Sequence, residues 1–234
     1  MITARHRRLA RAVVLLLAAA FACGAVHADT VEAALGFQSD KLRRGFSDSG
    51  GDPVASIDAR WRADAGWLAQ GGLSTLGSER RRGDAELTLG GGYGAVLDAG
   101  WAWQLTATHY RVLGGSGRQP YHELALALDA PGRVDLLLAL SPDYPGLLYG
   151  GGSGRGGMQV AEAGWHPRLA PGWVLDLGLG RVRYTGLAFP SHSYGSAGLT
   201  WRSGRFGASA TRVFRSGAGP AVDPRLVLAL SWQL

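Results

Sequence analysis

The chain has 234 residues, with 24 Lys plus Arg against 18 Asp plus Glu and a formal net charge of +6. Four Arg and no acid lie in the first 28 residues, so the remainder carries only +2 with no basic stripe on one element, which leaves nucleic-acid binding little support. A mean hydropathy of +0.01 with 37 Gly and eight Trp is odd for a soluble enzyme and natural for a barrel with a lipid-facing outside and a polar inside.

The N-terminus reads as a cleaved secretory signal. Arg5, Arg7, Arg8 and Arg11 make the positive region, residues 12–21 the apolar stretch, and Val26-His27-Ala28 the small-x-small site before Asp29. The apolar stretch is shorter than the roughly 20 residues a membrane helix needs. Cys23 follows Ala20-Phe21-Ala22, a poor match to a lipidation box. Cleavage after Ala28 removes this single Cys, leaving residues 29–234 as one domain without thiol chemistry, as suits passage through an oxidising compartment.

From residue 29 onward, turn signals recur on a regular beat. Tight Gly-bearing connections fall at 63–67, 97–101, 129–133, 169–173 and 202–205. Longer polar or Gly-rich stretches fall between them, at 40–52, 77–83, 114–120, 141–157, 185–191 and 216–224. Five short turns alternating with six long loops predict twelve strands, with both termini at the short-turn end; the Gly-rich segments 83–93 and 157–168 are the weakest, and their loss would leave ten. Short turns opposite long loops is the asymmetry of an outer-membrane barrel.

The strands alternate with period two. Leu124, Leu126 and Leu128 oppose Glu123 and Asp129; Val134, Leu136, Leu138 and Leu140 oppose Asp135; Trp173, Leu175, Leu177 and Leu179 oppose Asp176. Trp67, Trp101 and Trp173 follow short turns, where an interfacial girdle lies. The final residues, 225–234, place Leu226, Leu228, Leu230, Trp232 and Leu234 on one side. Such a closing strand is expected to seal against the first and to be read by the barrel-insertion machinery. A soluble β-sandwich shares the alternation, so patterning alone does not separate the two. The fold expected is an all-β, antiparallel transmembrane barrel in the outer membrane of a Gram-negative cell, in contact with its lipid.

Ser39-Asp40, Arg44-Gly45-Phe46-Ser47 and Asp52-Pro53, followed by Tyr121-His122-Glu123-Leu124 and Leu140-Ser141-Pro142-Asp143-Tyr144-Pro145-Gly146, resemble the Gcw-type outer-membrane proteins, the TorF family, for which a porin activity has been suggested. The resemblance runs over nearly the whole chain after the leader. Lys41 stands where the family prefers an aromatic residue, and Leu234 where it ends on Phe or Trp. It implies an outer-membrane barrel. Together with its charge, it places Arg44 at the mouth of the lumen.

Enzymatic signatures are weak. Gly152 to Gly157 spell GxGxxG without a strand before or a helix after, as a loop would. Lys41, the one Lys, sits in no phosphate-loop pattern. His122-Glu123 lacks the second His of a zincin motif, and a strand sends the two to opposite faces. The segment 191–198, Ser-His-Ser-Tyr-Gly-Ser-Ala-Gly, bears a loose likeness to a lipid A deacylase strand, with wrong spacing and no acid nearby to orient His192. A barrel hydrolase and a purely structural surface barrel are therefore the alternatives to a channel. No catalytic residue, metal ligand or cofactor site is assigned.

The polar row carries the functional expectation. If Ala55, Ile57, Ala59 and Trp61 face lipid, then Asp58, Arg60 and Arg62 face the lumen with Ser56, joined by Glu86, Glu123, Asp135 and Asp176. Arg181 or Arg183 are further candidates. Opposed Arg and carboxylate rows make the field that orients and filters solutes. Eight strands leave a filled interior and 16–18 an open channel, so twelve admit either a narrow path or a plug.

Overall fold

Period-two alternation becomes a single closed sheet. The computed structural model describes residues 30–77, 84–114, 119–145, 155–187, 190–217 and 224–234. The expected leader, residues 1–28, lies outside the described residues, as do 152–154 of the GxGxxG match and parts of five long loops. In chain order the strands are β1 Thr30–Gln38, β2 Leu42–Arg43, β3 Phe46–Ser47, β4 Val54–Arg62, β5 Trp67–Thr75, β6 Ala85–Val96, β7 Ala102–Leu113 and β8 Tyr121–Ala130. They continue with β9 Val134–Tyr144, β10 Gly156–Trp165, β11 Arg168–Ala170, β12 Trp173–Thr185, β13 His192–Ser203, β14 Phe206–Gly217 and β15 Arg225–Gln233.

Twelve of these form the wall, each antiparallel to its sequence neighbour; β2 and β3 make a separate hairpin in the first long loop, and β11 is a short flap on β12. Closure comes from β1 against β15, where Ala34 faces Gln233 and Gln38 faces Ala229. The Leu234 amide adds a bond to the Ala33 carbonyl at 2.9 Å. A sandwich has sheet edges, whereas here every long strand is paired on both sides, which rules that reading out. Both Gly-rich segments are strands, as β6 and β10, so the count is twelve rather than ten.

Glycine serves β6 in a specific way. Gly92 points inward opposite Thr106, and a Cβ there would run into the Leu105 carbonyl and Thr106 Cα of β7. The bare row Gly90, Gly92 and Gly94 thus lets β7 approach closely and leaves the lumen wall open.

The burial pattern is inverted relative to a soluble domain. Leu179 is 73% exposed and Leu226 62%, while Glu86 is 2% and Glu123 7% exposed. Isolated exposed leucines mean little, but continuous rows of them around buried carboxylates require an apolar solvent outside. All eight Trp of the chain lie at the short-turn end. There Trp67, Tyr93 and Trp103 run edge to edge, at 5.2 and 5.9 Å between ring centroids, and Phe206 stacks on Trp232. Such rings favour the boundary between headgroups and hydrocarbon.

Candidate functional site

The first long loop folds inward. Ser39 is tied to β15 by its amide on the Leu228 carbonyl at 2.9 Å, and its hydroxyl accepts the Leu228 amide at 3.0 Å. The chain then turns through β2 and β3, joined by the two-residue loop Arg44-Gly45 with φ of +53° and +81°. Two consecutive left-handed residues define a type I′ turn, whose twist suits a tight hairpin. Glycine meets this freely at the second position. Arg44 holds it at the first, where an L side chain is disfavoured by about 1–2 kcal/mol.

Asp40 anchors the base of the hairpin. Its carboxylate accepts the hydroxyls of Ser47 at 2.5 Å and Ser49 at 2.8 Å, and the Arg225 guanidinium of β15 at 2.7 Å. Burial pushes against its charge, but the two serines and Arg225 prevail and hold the carboxyl below its usual range.

The tip crosses the lumen on three cations. Lys41 Nζ bonds Ser74 of β5 at 2.5 Å and Glu86 of β6 at 2.9 Å. Arg43 bonds Glu86, donates to the Tyr121 hydroxyl of β8 at 2.5 Å, pairs with Asp48 at 3.1 Å, and lies 4.8 Å above the Tyr110 ring. Arg44 grips Glu123 of β8 with both terminal nitrogens, at 2.8 and 2.9 Å, with Glu162 of β10 at 3.6 Å. The Nη2 contact with Oε1 is a charge-assisted hydrogen bond, and Nη1 stands beside Oε2 as an ion pair without bonding geometry. Burial works against the Arg44 charge, yet Glu123 more than offsets it and raises the guanidinium above its ordinary value.

Aromatic residues line the wall at the same level. Tyr110 stacks on Tyr121 at 4.7 Å, Tyr121 meets Tyr144 edge-on at 5.1 Å, and Tyr144 stacks on Tyr184 at 5.8 Å, 6.0 Å from His192. His192 donates from Nε2 to the Arg44 carbonyl at 2.9 Å, and its ring meets Phe46 edge-on; Arg215 covers the other ring. Tyr194 donates to Glu162. The hairpin therefore has partners on β5, β6, β7, β8, β10, β13, β14 and β15, and spans the lumen from side to side.

Below the hairpin, toward the short turns, the barrel holds open space. A cavity of about 330 Å³ is lined by Glu32, Asp58, Arg60, Gln70, Thr88 and Gln233 among others. Arg60 reaches past the bare glycine row of β6 to Gln104 on β7, and Arg62 touches the same amide at 3.5 Å. At the rim, His166 is held between two carboxylates, Asp176 at 2.8 Å and Asp135 at 2.5 Å, with Thr200 donating to Asp176. Burial opposes the imidazolium, but bonds to both aspartates win and raise the His166 pKa.

The structure thus sorts the residues singled out from sequence into three levels on the inner wall. Arg44, Glu86 and Glu123 meet at the hairpin; Asp58 and Arg60 line the cavity, with Arg62 next inward on β4 at Gln104; Asp135 and Asp176 clamp His166 at the rim. Arg181 and Arg183 are a correction. They share the face of Leu177 and Leu179 on β12 and point outward, exposed, because parity along a strand holds whatever the charge. Of the Ser-His segment, His192 turns inward and Ser193, its neighbour, outward. Sequence reading missed Lys41, Arg43, Glu162, His166 and the tyrosine belt. For the first two the signal was present: three cations in four residues, 41 to 44, inside a loop beginning and ending with acids.

No family model matches the sequence, and no curated protein matches it. Solved structures do. The chain is similar to the NanC porin (TM-score 0.55, 8% identity, over 86% of this chain and 98% of that one). It is similar also to an outer membrane channel from Pseudomonas putida F1 (TM-score 0.55, 14% identity, over 90% and 97%). A third is the KdgM porin, solved in complex with disordered oligogalacturonate (TM-score 0.52, 8% identity, over 87% and 98%). The fold is that of a porin-like outer-membrane barrel.

Proposed function

We propose that this protein is an outer-membrane channel for small polar solutes in a Gram-negative cell, with the β2–β3 hairpin setting the narrowest point of its path. The observation that carries this is the basic hairpin laid across a lumen whose wall supplies its counter-charges, above a charged cavity on the short-turn side. Here Glu32 and Asp58 share the lower lumen with Arg60 and Arg62, an arrangement that orients charged or dipolar solutes as they pass. Membership of the Gcw-type, TorF family is the finer reading, supported by the Arg44-Gly45-Phe46-Ser47 signature that forms the tip of the hairpin. Insertion through recognition of β15 by the assembly machinery belongs to the same proposal.

Planar-bilayer recording tests the channel. Stepwise conductance is expected, lowered by Arg60→Gln or Arg62→Gln with a shift of ion selectivity toward cations. A preparation that is folded, shown by heat-modifiable migration, and never conducts would overturn the reading.

A further inference from the structure

The two rims of the barrel differ on their outer surface. At the short-turn end the exterior is aromatic, with every Trp of the chain. Toward the long loops, among the described residues, it is basic along one arc. From β7 to β14 the outward positions include Arg111, His122, Arg181, Arg183 and Arg212, all exposed, with Arg155 just before β10. The opposite arc presents Leu226 of β15, Phe37 of β1, Ala55 of β4 and Leu87 of β6, with no outward charge on those strands above the girdle.

Height follows from counting along the strand. Arg181 stands eight residues above Trp173 on β12, and Arg111 eight above Trp103 on β7. At about 3.3 Å per residue and a tilt near 40°, that is roughly 20 Å above the aromatic girdle, close to the ~25 Å height of an apolar band. Arg183 is one step higher. Arg212 starts lower, but its guanidinium lies 5.6 Å from the ring of Phe214, the next outward residue toward the loops. Long basic side chains in this position carry their charge to the headgroup layer. Directly below them the surface is leucine: Leu124, Leu138, Leu140 and Leu179.

One side of the arc is also pre-ordered. His109 Nδ1 and His122 Nε2 lie 3.0 Å apart, and Asp143 fixes His122 through its ring at 2.8 Å and its amide at 2.9 Å. Arg155 stands 4.0 Å from the same carboxylate and donates to Gln119 at 2.7 Å. Asp143 is an acid within the arc and is already engaged.

We propose that the β7–β14 arc of the outer surface docks a phosphorylated lipid of the outer leaflet, with its phosphates on the arginines and its acyl chains on the leucines beneath. A free phosphate has no use for the leucines, and a zwitterionic lipid brings its own cation against the arginines. This rests on the membrane-barrel reading, with the long loops outward. It does not require that the lumen conduct.

The test uses the folded barrel in nanodiscs of phosphatidylcholine. Bis-phosphorylated lipid A is titrated in and bound lipid counted by native mass spectrometry. Expected are retained lipid A on the unaltered chain and about tenfold weaker retention on Arg181→Gln/Arg183→Gln, the loss of one or two charge-assisted bonds. Inorganic phosphate at equal concentration should not compete. Equal retention of dephosphorylated lipid A, undiminished retention by the double variant, or displacement by inorganic phosphate would each overturn the proposal. Heat-modifiable migration of the variant shows that it is folded. Its conductance should equal that of the unaltered chain, so a failure of lipid docking is distinguishable from a failure of the channel.

Discussion

Replacing Arg44 with alanine removes the hydrogen-bonded ion pair that closes the hairpin onto the wall. The side chains of Arg44 and Glu123 are 11% and 7% exposed, so little solvent is present to take over from the lost partner. The charge-assisted bond itself contributes about 1.5–3 kcal/mol. Stranding one member of a buried pair costs more, about 3–5 kcal/mol, and sets the magnitude. At about 1.4 kcal/mol per tenfold, the docked hairpin loses between roughly a hundredfold and a few thousandfold in population. Lys41 and Arg43 still hold Glu86 and Tyr121, so the hairpin should open intermittently rather than stay out. In planar bilayers Arg44→Ala should show larger or more frequent open steps, and limited trypsin should now reach Lys41 and Arg43. Adding Glu123→Ala, which removes the stranded charge, should restore part of the closure. Single-channel currents and trypsin resistance indistinguishable from the unaltered chain would refute the argument.

The His166 clamp predicts a pH dependence. Its folded pKa lies above the unfolded value near 6.5, so the stabilisation is full below that pH and fades as pH rises through the folded pKa. Protection factors of the amides in residues 166–172, taken against the intrinsic exchange rate at each pH, should therefore fall on going from pH 6 to pH 9, and a titration placing His166 at or below 6.5 would contradict this. Gly92→Ala should lower stability by roughly 1–3 kcal/mol, since its Cβ meets β7 backbone that cannot rotate away. Gly71→Ala, with only ordinary contact at 3.5 Å to Leu89, is the control, and equal urea midpoints for the two would be evidence against the close approach. Deleting residues 231–234 removes three of the five β1–β15 register pairs and the Leu234–Ala33 bond, and should abolish membrane assembly; a truncated chain that still migrates heat-modifiably would show that closure does not depend on them.

The wall was legible because its determinants are local. Alternation of Val134, Leu136, Leu138 and Leu140 fixes which face of β9 is outside, and a Gly-bearing turn at 131–133 fixes where it starts. Residue parity even contained the answer for Arg181 and Arg183, once the leucines before them were followed outward. The hairpin was not legible, because its determinants are spread over strands far apart in sequence. Nothing within residues 39–52 says that Glu86, Glu123 and Glu162 will stand around it at one height. That coincidence is a property of closure and stagger, which set how distant positions share a level. His166 was hidden for the same reason. Its two carboxylates come from β9 and β12, which become near neighbours only through β10.

The hairpin also imposes an order of events during biogenesis. Its anchors at Ser39 and Asp40 need Leu228 and Arg225 on the last strand, and its tip needs β8 and β10 in place. The anchors on the last strand cannot form until it has joined the first, whereas Lys41 and Arg43 find Glu86 and Tyr121 on strands already laid down. The crossbar is therefore locked at its base last, as the seam shuts.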